Sequence, residues 1–219
     1  TGYTLSVENS ELVWNDSTML TFVLADGYSK TDAFALKVNN VKVDLDADGK
    51  YVITNAQDNI TVTVEGVADI TAPDTEIEVK DNSWSEFLNS ITFGVFFKET
   101  HDVTITASDT GSGVKSVEYY LADEAMTLDT VKAITAWEKY NGGFKIDPDN
   151  QYVIYAKVSD NAGNVAYISS DGIVLDATAP VISGIEDGKT YYTTQKFTVN
   201  EKNCSSVSIC STGALSFLK

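Results

Sequence analysis

Asp69-Ile70-Thr71-Ala72-Pro73 returns later in the chain as Asp176-Ala177-Thr178-Ala179-Pro180, and the two copies hold two of the three prolines. Each copy follows a run of β-formers (residues 60–64 and 173–175) and precedes another (75–79 and 181–183). Proline fixes φ, lacks an N–H and pushes the residue before it into an extended shape, so each phrase closes one ladder before the next begins. A stiff, extended phrase between strand runs reads as a linker between β-modules. Cutting there divides the chain into residues 1–72, 73–178 and 179–219, with a hinge expected near Pro73.

The first segment carries seven short alternating runs, at residues 3–7, 12–14, 20–24, 34–38, 43–45, 51–53 and 60–64. Apolar side chains at period two put one face of each run on a core. Asn39-Asn40 and Asp48-Gly49 supply tight turns between neighbouring runs. Short strands with polar turns predict a small β-sandwich.

The second segment has the same texture with two expected helical insertions. Ser83 with Glu86 three residues on resembles a capping box over residues 83–88, and Leu128, Val131 and Ile134 are spaced as on a helix over 127–134. Residues 103–107, 117–121 and 152–158 alternate as strands. The turn Asp160-Asn161-Ala162-Gly163-Asn164 then leads into a return strand at 165–169. Asp147-Pro148-Asp149-Asn150-Gln151-Tyr152 places a Tyr at the start of a penultimate strand, as in the tyrosine corner of immunoglobulin-type sandwiches. Ile154 stands where antibody domains have a cysteine, so apolar packing is expected in place of an inter-sheet disulfide.

These features, together with Ser108-Asp109-Thr110-Gly111-Ser112-Gly113 before the 114–121 strand and the Thr-Ala-Pro linker, resemble the bacterial immunoglobulin-like repeats found in tandem in Gram-positive surface proteins. The resemblance covers about residues 74–186. It implies an all-β chain of tandem immunoglobulin-like β-sandwich modules, the second with short helical insertions. Residues 179–219 read as an incomplete third repeat: strands at 181–185, 196–199 and 204–211, and an end at 216–219 that forms no hairpin. The tail strands are expected to pack on the second module or on another copy of the chain.

Composition narrows the function. The 219 residues are 43% apolar and 11% aromatic, which suits globular modules with ordinary cores. The formal net charge is −17, and all fifteen basic residues are lysine. A strongly acidic surface without arginine repels polyanions, so nucleic acid is not an expected partner. No apolar run approaches a bilayer span and no signal-like pattern opens the chain, so no membrane insertion is expected in this segment. Cys204 and Cys210 lie outside both main modules, so disulfides are not expected to staple those; a Cys204–Cys210 pair would close only a small loop.

Asp44-Leu45-Asp46-Ala47-Asp48-Gly49 matches the first six positions of an EF-hand calcium loop, but position 12, which requires a bidentate Glu, is Asn55. It reads as an acidic hairpin turn. Asp69, Asp74 and Asp176 read as solvated linker charge, and Asp109, Asp160 and Asn161 as turn residues. His101 reads as an exposed strand-end residue with no triad partner, and no phosphate loop or metal-spaced cluster is present. Trp14, Trp84 and Trp137 could stack on sugars but read as core or helix-docking residues. One ring each of Tyr119-Tyr120 and Tyr191-Tyr192 is expected at the surface.

The expectation is therefore a non-enzymatic spacer, display or adhesion segment of an extracellular, cell-surface or cell-wall protein, with no catalytic, cofactor-binding or metal residues. Its expected partners are neighbouring repeats and host or cell-wall glycan or protein. The alternative is an accessory carbohydrate-binding segment of a secreted glycan-degrading enzyme, which an exposed aromatic strip would favour.

Overall fold

The computed structural model describes residues 2–204, 206–209 and 215–218, with no side-chain description from 208 onward. The chain is all-β and sandwich-like; α1 (Leu128–Lys132) is the one α-helix among the described residues.

Strands β1 (Tyr3–Val7), β2 (Thr18–Leu24), β3 (Tyr28–Val38), β4 (Val41–Val43), β5 (Lys50–Ile53) and β6 (Val62–Asp69) form two three-stranded sheets, ordered β1-β2-β5 and β4-β3-β6. Leu20, Phe22, Leu36 and Ile53 are buried together, contributed by strands of both sheets. Asn39 and Asn40 both take positive φ, 49° and 64°, which is the hairpin turn their amide side chains tolerate. Asp46 Oδ1 accepts the amides of Asp48 and Lys50 at 2.9 and 2.8 Å, so the EF-hand-like hexapeptide forms a tight turn, but β4 and β5 on either side of it lie in different sheets, so it is not the hairpin expected.

The expected strand at 12–14 does not form. Asp16 donates its amide to the Val13 carbonyl at 3.0 Å and accepts the Val13 amide at 3.2 Å, while Asn15 takes φ 67°. That local turn competes with any ladder.

The two ends of this β-unit lie together. Tyr3 pairs with Leu24 and Tyr28 with Asp69, and the Ala25 amide donates to the Gly2 carbonyl at 2.9 Å. The loops of residues 8–16 and 54–60 close the opposite end.

Strands β7 (Asp74–Val79), β8 (Asn82–Trp84), β9 (Val95–Phe97), β10 (His101–Ser108), β11 (Val114–Ala122), β12 (Glu138–Lys139), β13 (Phe144–Ile146), β14 (Asn150–Asp160), β15 (Val165–Ser169) and β16 (Ile173–Leu175) form the next pair of sheets. One is ordered β13-β10-β7-β8; the other is β12-β11-β14-β16-β9, with β15 also on β14. Ile77, Val79, Val103 and Ile105 from the first pack against Ile154, Ala156, Ile173 and Leu175 from the second. The Tyr152 hydroxyl donates to the Asp147 carbonyl and accepts the Asp147 amide, both at 3.3 Å, closing the corner read from the sequence.

The expected helix over 83–88 is replaced by strand β8 and an irregular segment. The segment is pinned by Ser169 Oγ, which accepts the Leu88 amide at 2.9 Å, and by Asp171, which accepts the Thr92 amide and hydroxyl at 2.6 Å each. With α1, whose N-cap Thr127 accepts the Thr130 amide at 3.3 Å, it covers the outer face of β14. Val153 and Tyr155 are consequently as buried as Ile154 and Ala156 on the opposite face. Tyr119 and Tyr120 are both half-buried for related reasons. Tyr119 stacks on Phe144 at 4.1 Å, and Tyr120 meets Trp137 in the second cluster, so neither is the exposed ring expected from the alternation.

After the second Thr-Ala-Pro, β17 (Val181–Ser183) pairs antiparallel with β18 (Thr198–Asn200). β19 (Ser206–Ile209) and β20 (Leu215–Leu218) then pair antiparallel, so the chain does form a hairpin where none was expected. Among the described residues no ladder joins these strands to the preceding sheets. Cys210, and with it the Cys204–Cys210 pairing, lies outside the described residues.

Candidate functional site

Strand β6 ends on Asp69, whose carboxylate turns into the structure and is only 6% exposed. Oδ1 accepts the Thr71 amide at 3.0 Å and the Thr71 hydroxyl at 2.7 Å. Oδ2 accepts the Ser112 amide at 2.8 Å, and the Asp69 carbonyl accepts Asn164 Nδ2 at 3.1 Å. On the other side the Ile70 amide donates to the Gly27 carbonyl at 2.9 Å, and Pro73 is buried. The phrase is therefore fastened to the β2–β3 turn and to two loops of the following sheets. The expected solvated Asp69 is corrected: the amide donors of Ser112 and Thr71 draw its carboxylate inward, whereas Asp74 stays exposed.

Gly111 is where this packing demands a glycine, because a Cβ there would overlap the Asp69 carboxylate. Asp109 Oδ1 accepts the Gly113 amide at 2.5 Å. Asp160 is fully buried, more than a simple turn residue. Its Oδ1 accepts the amides of Gly163 and Asn164 at 2.6 and 2.7 Å, and its Oδ2 accepts Asn164 Nδ2 at 2.7 Å. Asn161 Nδ2 ties the two loops through the Ser112 and Gly113 carbonyls at 3.0 and 2.9 Å.

Hydrogen bonding keeps Asp69 and Asp160 ionised. The Thr71 hydroxyl, then the Thr71 amide, lower the Asp69 pKa to about 2 against the opposing effect of burial, with Ser112 adding to the lowering. Burial pushes Asp160 up, but the Asn164 side chain, the backbone amides of Asn164 and Gly163 and the Ser112 hydroxyl outweigh it and leave it lowered. Oxygens of Asp69, Asp109 and Asp160 lie within 4.8 Å of one another, the one such trio of possible metal ligands among the described residues. These are the residues that could hold a hard divalent cation, which takes six to eight oxygens. The Asp44–Asp46–Asp48 carboxylates do not converge in this way.

The second phrase repeats the closure. Asp176 Oδ1 accepts the Thr178 amide at 3.0 Å and hydroxyl at 2.8 Å, and Oδ2 accepts Asn203 Nδ2 at 3.0 Å. Ser112 sits in the loop after β10, and Asn203 in the loop after β18. Each of those strands pairs with the strand that follows the linker proline.

The remaining candidates are dispersed. The His101 ring packs edge-on against Phe97 at 4.1 Å and is half-buried rather than exposed. Among the described residues it has no carboxylate or hydroxyl hydrogen-bond partner. Trp84 packs on the main core of its sheets, and Trp137 donates Nε1–H to the Ile134 carbonyl at 2.9 Å inside the second cluster. Trp14 is the exception: it is 69% exposed, because the turn at 13–16 carries it out of any sheet. Tyr191 and Tyr192 are both exposed. No protein-family model matches this chain, and no curated protein matches it.

Proposed function

We propose that the chain is a non-enzymatic segment of an extracellular or cell-surface protein, built of tandem immunoglobulin-like modules at residues 1–72, 73–178 and 179–219, and that it spaces and displays what it carries. The observation behind this reading is the repeated lock. Each linker Asp closes on its own Thr and is then gripped by the loop after the equivalent strand of the next module. Such a joint sets the direction of one module relative to its neighbour, which a spacer needs and a single-domain enzyme does not. The Tyr152 corner, the two-sheet packing around Ile154 and the repeated opening pair (β7–β10, β17–β18) support the immunoglobulin-like assignment. The strongly held carboxylates have local amide or hydroxyl partners, and among the described residues none is hydrogen-bonded to a histidine. That favours a structural use of these acids over catalysis.

The test is orientation in solution. Residual dipolar couplings from residues 3–69 and 74–175 should fit one alignment tensor, and Asn164→Ala should split it into two. Two tensors in the unaltered protein would rule out a fixed joint.

A further inference from the structure

We propose that the cleft at the free end of the first β-unit binds a neutral carbohydrate chain, with Trp14 as the stacking platform. The cleft has a volume of about 700 Å³ and lies between the 8–16 and 54–60 loops, within the size range of small-ligand sites. The loops hold each other: the Asn15 amide donates to the Ala56 carbonyl at 2.9 Å, and the Ala56 amide to the Asp16 carbonyl at 3.0 Å. Ile53, Ile60 and Val62 give it an apolar floor continuous with the core. Its rim is polar, with Asn9, Glu11, Gln57, Asp58 and Asn59.

That combination matches a pyranose, which has an apolar face for an indole and hydroxyls for amides and carboxylates. No lysine lines the cleft, and the chain carries a net charge of −17, so an anionic sugar or phosphate is disfavoured. A 69% exposed Trp beside a 71% exposed Val13 is a solvation cost that a bound sugar ring would relieve. The location suits capture as well. Tyr3 and Asp69 both lie at the linker end, so the cleft sits at the far tip, away from the linker.

This inference deepens the display reading and rests on it only for where the tip is presented. The experiment uses the whole chain and a panel of soluble neutral oligosaccharides: β-glucan, α-glucan, mannan, galactan and chitin fragments. Titration is followed by the indole N–H signals and by calorimetry. At least one member should bind with a dissociation constant of roughly 10 µM to 1 mM and shift the Trp14 indole signal while sparing those of Trp84 and Trp137. Trp14→Ala should weaken it by about tenfold or more and Trp14→Phe by about threefold or less, since a smaller ring still stacks. The Gln57→Ala/Asn59→Ala pair should also weaken it, with no change in the melting temperature of any variant. Binding by none of the panel, or binding indifferent to Trp14→Ala, overturns the proposal. Asn164→Ala, which acts at the opposite end, should leave sugar binding unchanged, so failure of the lock and failure of the cleft are separately visible.

Discussion

Removing the Asn164 side chain tests the joint most directly. Its Nδ2 donates both to the buried Asp160 carboxylate at 2.7 Å and to the Asp69 carbonyl at 3.1 Å. A hydrogen bond to a charged group contributes about 1.5–3 kcal/mol and one between neutral groups about 0.5–1.5 kcal/mol. Asn164→Ala should therefore cost about 2–4 kcal/mol, because neither acceptor is placed to regain a full water shell. For a cooperative unit of this size that lowers the melting temperature by on the order of 10 °C. Urea unfolding of the whole chain, read through Trp84 and Trp137 fluorescence, gives the free energy. The Ser112 amide, hydrogen-bonded to Asp69, should exchange with solvent markedly faster in the variant. A loss below about 0.5 kcal/mol, within the range of an ordinary surface substitution, together with unchanged Ser112 exchange, would refute the hydrogen-bond reasoning.

Three further outcomes are expected. The Asp69 carboxyl should titrate near 2 in a carbon-detected pH series; because this value is depressed, its stabilising contribution is present above the unfolded value near 4 and is lost as pH falls towards 2, and a midpoint near 4 would sink the lock. Asp109→Asn keeps an acceptor for the Gly113 amide and removes one of three converging charges, so in chelator-containing buffer it should raise the melting temperature, and a fall there would show that the charge is needed. Tyr152→Phe should cost about 1 kcal/mol by opening the corner at Asp147, measured by urea unfolding; a neutral result would mean the corner is ornamental.

The fold was legible where one rule governed a stretch. Alternation located β1, β10, β11 and β14, and positive-φ turn residues such as Asn39-Asn40 located the hairpins. It failed where two rules competed. Ser83 and Glu86 look like a capping box, but Trp84 and Phe87 are drawn into different cores, so β8 pairs with β7 and the helix does not form. Leu12 to Trp14 alternates like a strand, yet Asp16 and Asn15 close a turn on it. Asp69, Asp109 and Asp160 were each visible as linker or turn residues, but their convergence was not. They are far apart in the chain, and only the pairing of Asp74 with Ser108 and of Val114 with Asp160 carries the three loops to one place. Alternation places Trp14 inward, because it says nothing of a turn that swings a side chain out.

The placement of Tyr3 and Asp69 at one end has a consequence under load. A pull between Tyr3 and Leu175 reaches β1 and β6 at the same end of their sheets, so their ladders give way one hydrogen-bonded pair after another, as a zipper opens. In the following sheets β7 begins at the linker end and β16 finishes at the far one, beside the start of β14. There the same pull runs along the strands and must shear several pairs at once. The first unit should yield while the second holds, paying out on the order of 200 Å of chain.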